Sequence, residues 1–283
     1  MTYSKEEKEK YGIELESGDD HYRAYTGVPH EYSLWGAGCF NLLTSLGLRE
    51  HHYVLDIGCG SLRAGRILLS YMLPGRYGAV EPNQELFEEA VEQDVGRELL
   101  TRKQLVVAHN ESFDFPRQRE PYDFALAHSI FSHASLNQIG QCLEKLHGAM
   151  SDDGVFAASY CPIPWLSRMP EHTADEWLYP GVTYFHTSTI KQLARDKGFY
   201  YHPVQWNMFV HQQIWAIFTK QPRRIPRSPQ NLWRPPFRHI TNRFGNLLYR
   251  LKFRAGLAGE KIDSFPGSEK WSKLSKSGDK DET

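Results

Sequence analysis

The chain has no long hydrophobic run, few cysteines and almost no net charge. No apolar run approaches the ~18 residues that span a bilayer, and the N-terminus lacks the apolar stretch of a signal peptide. The four cysteines include no C-x-x-C pair, which indicates neither a disulfide framework nor a zinc site. A net charge of −1 argues against a globally basic nucleic-acid binder. We therefore expect a protein of the reducing cytoplasm.

The chain contains enough apolar residues to form a full core, since 40% of its 283 residues are hydrophobic. Short apolar strands alternate with helical patterns, which is typical of a parallel sheet with crossover helices. We predict an α/β fold with a doubly wound, seven-stranded, mostly parallel sheet and an antiparallel last strand. The predicted strands are 53–57, 77–81, 105–108, 122–127, 155–160, 199–206 and 210–219, and the predicted helices are 63–73, 84–102, 137–150 and 187–197.

The most informative stretch is Tyr53–Arg63, in which a short apolar strand runs into two glycines. Gly58 and Gly60 allow the backbone to turn sharply and to approach a ligand closely, which a Cβ atom would block. Ser61 can cap a helix that begins near Leu62, and the helix N-terminus adds free N–H groups and a positive dipole end. We therefore expect a ligand with a carboxylate or a phosphate above this turn.

The details of the turn separate two classes of ligand. A dinucleotide-binding turn has the pattern G-x-G-x-x-G, and Arg63 occupies the position of its third glycine. Asp56 lies two residues before Gly58, at the end of the strand, where it can accept hydrogen bonds from an ammonium group. The turn is therefore better suited to an amino-acid ligand than to a pyrophosphate.

The run 54–60, VLDIGCG, resembles motif I of the class I S-adenosylmethionine (SAM) methyltransferases, a family that the chain resembles from about 53 to 219. The resemblance implies that SAM is the cofactor. The candidates for cofactor binding in this stretch are Asp56, Gly58, Cys59, Gly60 and Arg63. One departure is Leu62, because the family commonly has a further glycine at that position.

Glu81 lies 21 residues beyond Gly60, at the C-terminal end of the second predicted strand. A doubly wound sheet places at this point the acid that binds the ribose hydroxyls. The pair Glu81–Pro82 also resembles motif II of the family. An isolated glutamate at a strand end is usually solvated, but the spacing from Gly60 favours the binding role.

Polar residues also follow the third and fourth predicted strands. By resemblance to the third motif of the family, Asn110 or Glu111 would contact the adenine. His128, which follows the fourth predicted strand, is a further candidate for cofactor binding. His133 matches a position where many small-molecule members of the family have a histidine, so it is our candidate for the catalytic base. The alternative is a histidine that only bonds nearby backbone.

Residues after the fourth strand disfavour two chemistries on nucleic acids. Methyltransferases acting on exocyclic base nitrogens resemble one another in an Asn/Asp-Pro-Pro-aromatic loop, and this chain has Ala-His-Ser-Ile at 127–130. Cytosine C5 enzymes need a cysteine, commonly in a Pro-Cys pair, and Cys161–Pro162 has the reverse order. We therefore expect transfer to a small-molecule or glycolipid acceptor, and we favour a hydroxyl of a sugar or secondary metabolite.

Three segments are predicted along the chain: an N-terminal arm and helical cap (1–48), a SAM-binding methyltransferase domain (49–220) and a basic extension with a disordered tail (221–283). Within the domain, 161–186 is too long for an ordinary connection and reads as an acceptor loop. Its candidates for the acceptor wall are Trp165, His172, Trp177, Tyr184 and His186.

The extension has nine Lys or Arg and no acid between 221 and 258. Apolar residues follow helical spacing over 233–254, which predicts a basic amphipathic helix. Such a helix can lie on an anionic membrane surface, and the alternative is a helix docked on the domain or on a second subunit.

Other functions stay open at this point. The basic tail is compatible with a protein or RNA methyltransferase, and a catalytically silent SAM-binding or membrane adaptor module would share the binding residues. A nicotinamide oxidoreductase would share the fold, but Asp56 and Arg63 argue against it.

Overall fold

The computed structural model of the protein describes residues 3–164, 167, 169–204, 206, 213–222 and 225. The predicted basic helix over 233–254, the polar tail and Trp165 lie outside these residues. No helix in the described part of the chain combines the length and the apolar composition needed to cross a membrane.

The described residues form a central sheet with helices on both faces. Its strands run in the order β3-β2-β1-β4-β5-β8-β7, and all neighbours are parallel except that β8 is antiparallel to β5 and β7. The strands are β1 (Val54–Ile57), β2 (Tyr77–Val80), β3 (Val106–Ala108), β4 (Tyr122–Ala127), β5 (Met150–Pro162), β6 (Tyr184–Phe185), β7 (Tyr200–Val204) and β8 (Ile214–Thr219). The predicted doubly wound sheet with an antiparallel last strand is confirmed, and the short β6 beside β5 adds an eighth strand.

The described residues contain eight α-helices: α1 (Lys5–Tyr11), α2 (Tyr22–Tyr25), α3 (Tyr32–Ser45), α4 (Gly65–Tyr71), α5 (Gln84–Ala90), α6 (Arg97–Lys103), α7 (Leu136–Ala149) and α8 (Thr187–Asp196). Successive side chains of a strand point to opposite sides of the sheet. Because helices cover both sides, the strands are apolar on both faces. Leu55 and Ile57 pack into one core with α7 and α8, whereas Val54 packs into a second core with α3 and α4.

Two local predictions are wrong. The helix predicted over 84–102 is divided into α5, a π-helical turn (Val91–Val95) and α6, because Gly96 takes a φ of 85° that breaks the helical path. The helix after the glycine turn begins at Gly65 rather than near Leu62, and Ser61 does not cap it. Ser61 is instead fully buried, where its Oγ contacts the Tyr32 hydroxyl at 3.1 Å.

The strand order sets the position of the site. The chain proceeds outward from β1 to β2 and β3, and then returns to place β4 on the other side of β1. A crevice forms outside the carboxyl ends of the strands at such a switch point. The glycine turn after β1 and His128 after β4 therefore lie next to each other.

Candidate active site

A cavity of about 390 Å³ opens at the carboxyl ends of β1, β2 and β4. This first cavity is lined by ten of the eleven residues that the sequence singled out for catalysis or binding. They are Gly58, Cys59, Gly60, Arg63, Glu81, Pro82, Asn110, Glu111, His128 and His133. The eleventh, Asp56, is not among the lining residues.

The glycine turn forms the floor of the first cavity, in a tight left-handed path. Gly58 and Gly60 have φ values of 64° and 54°, and Leu62 has 58°. A Cβ on Gly58 would come within 2.1 Å of the Ile130 Cδ1, and one on Gly60 within 2.9 Å of the Thr26 Cγ2. Leu62 thus keeps the backbone conformation that favours glycine, although its own side chain is fully buried.

Asp56 lies beneath the cavity rather than in its wall. Its carboxylate is 3% exposed and accepts a hydrogen bond of 2.7 Å from the Tyr77 hydroxyl. Burial raises the pKa of Asp56 to about 6, with a further rise from the nearby charge of Glu81, while the Tyr77 bond opposes the shift. Direct contact between Asp56 and an ammonium group therefore stays a prediction. The Tyr77 hydroxyl already occupies one of the two carboxylate oxygens.

Glu81 is nine-tenths buried and projects from the end of β2 into the cavity wall. Its two carboxylate oxygens accept hydrogen bonds from the backbone N–H of Gly60 at 2.7 Å and of Asn83 at 2.9 Å. Burial raises the pKa of Glu81, and these two bonds oppose the shift. Each oxygen keeps a second lone pair, so the carboxylate can also accept bonds from two neighbouring hydroxyls of a ligand.

At the far end of the first cavity, the two candidates for the adenine contact, Asn110 and Glu111, differ in their hydrogen bonds. The Asn110 side chain is held in its own loop, because its amide donates to the Asp114 carbonyl at 3.0 Å and accepts from the Asp114 N–H at 2.9 Å. Glu111 lines the cavity from the same loop, with Phe113 and Trp177, whose ring centroids are 5.8 Å apart. Trp177, a candidate for the acceptor wall, therefore lies on the first cavity.

Arg63 and His128 form a bonded pair at the near end of the first cavity. Arg63 donates to the Thr26 carbonyl at 2.7 Å and, from its other terminal nitrogen, to the Nδ1 of His128 at 2.9 Å. Because a guanidinium only donates, the His128 Nδ1 must accept. The His128 ring contacts the indoles of Trp35 and Trp215, with ring centroids at 5.2 and 5.3 Å.

His133 has the opposite arrangement of its ring nitrogens. Its Nδ1 lies 2.7 Å from the Gly181 carbonyl oxygen and 3.3 Å from that of Leu178. Carbonyl oxygens only accept, so the proton is on Nδ1 and the lone pair of the neutral ring is on Nε2. The backbone contact that we considered as an alternative role is present, and it is also what orients the ring.

A second cavity of about 300 Å³ adjoins the first. Seven residues line both: Tyr25, Thr26, Arg63, His128, Ser129, His133 and Tyr179. The second cavity also contains Trp35, Trp206 and Trp215, and the loop contributes Tyr179, Pro180 and Val182. The other candidates for the acceptor wall in the described residues, His172, Tyr184 and His186, line neither cavity.

Sequence reasoning missed the residues that come from outside the strand ends. Tyr25 and Thr26 reach the site from the N-terminal segment, where the Tyr179 hydroxyl donates to the Tyr25 carbonyl and the two rings lie 4.9 Å apart. Nothing in the local pattern around Tyr25 or Tyr179 indicates this contact. Ser129 could have been found, since it directly follows His128.

Comparisons with known proteins agree with this geometry. Residues 55–156 match a family model described as a methyltransferase domain. The structure of magnesium protoporphyrin IX methyltransferase (ChlM) from Synechocystis PCC 6803 with bound SAH is similar at 12% identity and a TM-score of 0.51, over 76% of this chain and 92% of that one. A DhpI–SAH complex is similar at 15% identity and a TM-score of 0.50, over 71% and 94%. No curated protein sequence matches the chain.

Proposed function

We propose, from the premise that this chain is a class I SAM-dependent methyltransferase, that it transfers a methyl group to a hydroxyl of a small or lipid-linked acceptor in the second cavity. The observation that carries the proposal is the orientation of His133. Its Nδ1–H is bonded to the Gly181 carbonyl, which leaves Nε2 as a proton acceptor on a residue that lines both cavities.

The residues of the first cavity fit SAM by their chemistry. Glu81 would hold the ribose hydroxyls, because its carboxylate is fixed by two backbone N–H groups and still has free lone pairs. Arg63, next to the glycine turn, supplies positive charge for the carboxylate of the amino-acid end. Glu111, Phe113 and Trp177 would surround the adenine. When bound, SAM supplies a methyl group made electrophilic by the sulfonium.

The protein then has to align the acceptor, exclude water and remove one proton. With SAM bound, the hydroxyl oxygen would form the new bond to the methyl carbon as the carbon–sulfur bond breaks, and SAH and a methyl ether would result. The hydroxyl proton moves to the His133 Nε2. A positioned base of this kind contributes about 10²–10⁴-fold.

The size of the second cavity, about 300 Å³, supports a small acceptor or the head of a lipid-linked one. The similar structure of magnesium protoporphyrin IX methyltransferase bears the name of a small-molecule substrate, which agrees with this class. A sugar or secondary-metabolite hydroxyl is the acceptor that we favour.

The test uses the full chain, deuteriomethyl SAM and a small-molecule extract treated with protease and ribonuclease. We expect mass spectrometry to find a product carrying the deuteriomethyl group, and we expect His133→Asn to lower its rate by about 10²–10⁴-fold. Asparagine keeps a donor near the Nδ1 position for the Gly181 carbonyl but has no group equivalent to Nε2, so the loop contact is preserved.

The pH profile separates a base from a structural residue. Wild-type activity should fall as the pH is lowered, because a protonated imidazole cannot accept the proton, and His133→Asn should lose this dependence. Equal turnover in the two proteins would remove His133 from the mechanism. Product only in untreated extract would favour a protein or RNA acceptor, and SAH binding without any product would favour a silent binding module.

A further inference from the structure

Three residues of the second cavity form a closed ring of hydrogen bonds between the ends of β4, β5 and β8. The Ser129 N–H donates to the Ser159 Oγ at 2.8 Å, and the Ser159 hydroxyl donates to the Gln213 Oε1 at 2.7 Å. The Gln213 Nε2 returns a bond of 2.9 Å to the Ser129 Oγ. Each bond fixes the direction of the next one.

The ring leaves one hydroxyl hydrogen unused. Ser159 Oγ accepts from a backbone N–H, so its own hydrogen must go to Gln213, and the Gln213 amide must then donate to Ser129. Among the described residues, no acceptor is found for the Ser129 Oγ–H. Ser129 lines both cavities, and its φ of 62° is a backbone conformation that non-glycine residues rarely adopt.

The charge of the second cavity limits what can bind beside Ser129. Of the described residues that line it, Arg63 is a cation and none is an aspartate or glutamate. An amine that is protonated at neutral pH would find no aspartate or glutamate partner among these residues. A neutral hydroxyl compound needs no such partner.

The walls of the cavity favour a flat ring. Three indoles line it, and the His128 imidazole stacks on that of Trp215 and lies tilted by 32° to that of Trp35. Aromatic walls of this kind bury large apolar faces and pack well against another ring.

We propose that the second cavity binds the methyl acceptor as a hydroxyl-bearing ring without positive charge, and that Ser129 donates its Oγ hydrogen to an oxygen of that ring. Gln213 is the positioning residue, because its amide holds the Ser129 oxygen and leaves only the hydrogen for the ligand. This inference rests on the proposed function, since it assigns the acceptor subsite of the same reaction.

The experiment uses the full chain saturated with SAH and ligand-observed NMR titrations. The probes are catechol, as a phenolic ring, methyl β-D-glucopyranoside, as a sugar ring, and benzylamine, as a cationic ring of similar size. We expect at least one hydroxylated ring to bind and benzylamine to bind at least about tenfold more weakly. The hydroxylated probe that binds more tightly shows whether the acceptor ring is phenolic or a sugar.

The variants test the hydrogen-bond ring. Ser129→Ala removes the donor, and Gln213→Glu reverses the bond so that the Ser129 hydrogen is consumed inside the protein. We expect each variant to lower the affinity for the hydroxylated probe by about three- to tenfold, which is the effect of one hydrogen bond. Because Gln213 does not line the first cavity, Gln213→Glu should keep the wild-type affinity for SAH.

Ser132→Ala is the matched control. Ser132 is in the same turn, is fully buried and donates to the Ser129 carbonyl at 3.1 Å, but it lines neither cavity. We expect probe affinity within about twofold of wild type. The inference is overturned if neither hydroxylated ring binds, if benzylamine binds as well, or if Ser129→Ala and Gln213→Glu leave probe affinity unchanged. Loss of SAH binding in the wild-type protein would instead contradict the proposed function.

Discussion

Replacing Asp56 by asparagine should change how the stability of the ligand-free protein depends on pH. Asp56 is 3% exposed, and burial raises its pKa from 3.8 to about 6. The unfolded chain therefore loses this proton near pH 4, whereas the folded protein holds it until about pH 6. Between these values the folded state binds more protons, so its stability falls as the pH rises.

The size of the effect follows from the shift. About two pKa units correspond to about 3 kcal/mol, which the wild-type protein loses from this group between about pH 4 and 6. Asp56→Asn cannot lose a proton, so it lacks this decline. Any constant difference, such as a poorer bond to the Tyr77 hydroxyl, cancels when each protein is compared with itself across pH.

Urea unfolding of both proteins at several pH values from 4 to 7.5 measures this difference. We expect the free energy of unfolding of Asp56→Asn relative to wild type to rise by about 3 kcal/mol over the window and then to level off. Parallel profiles would show that Asp56 ionises in the folded protein as it does in the unfolded chain, and the account of its burial would be wrong.

Two further substitutions test the walls of the first cavity. Glu81→Gln should weaken SAH binding by about tenfold or more in calorimetry, because a charged acceptor is lost, and an unchanged affinity would contradict the ribose role. Gly58→Ala should lower the free energy of unfolding in urea by at least about 1–2 kcal/mol, since its φ is 64° and its Cβ would lie 2.1 Å from the Ile130 Cδ1. A stability equal to wild type would mean that the turn adopts another path.

Much of the fold could be predicted because its signals are local. The apolar run into Gly58 and Gly60 indicated the first strand and the turn, and the spacing to Glu81 indicated the second strand end. The sheet is confirmed, and residues 55–156 match a methyltransferase domain model, as the resemblance at 54–60 led us to expect. The doubly wound topology then brings ten predicted site residues to one cavity, as expected for parallel strands.

The misses have long-range causes. The neighbours of Ser61 in sequence predict a helix cap, but its hydroxyl is bonded to that of Tyr32, which lies 29 residues earlier in the chain. Tyr25 and Tyr179 meet across the site from segments 154 residues apart, and no local periodicity carries that information.

Tyr25 and Tyr179, which meet across the site, both lie outside the segment that matches the methyltransferase domain model. Only Arg63, His128, Ser129 and His133 of the residues lining the second cavity fall within 55–156, the part that matches the methyltransferase family. The remaining lining residues come from flanking sequence before and after it. If the second cavity binds the acceptor, as we propose, exchange of these flanks would alter the acceptor site and leave the glycine turn and Glu81 unchanged. Conversely, a shortened chain limited to the matched segment would lack most of the residues that line the second cavity.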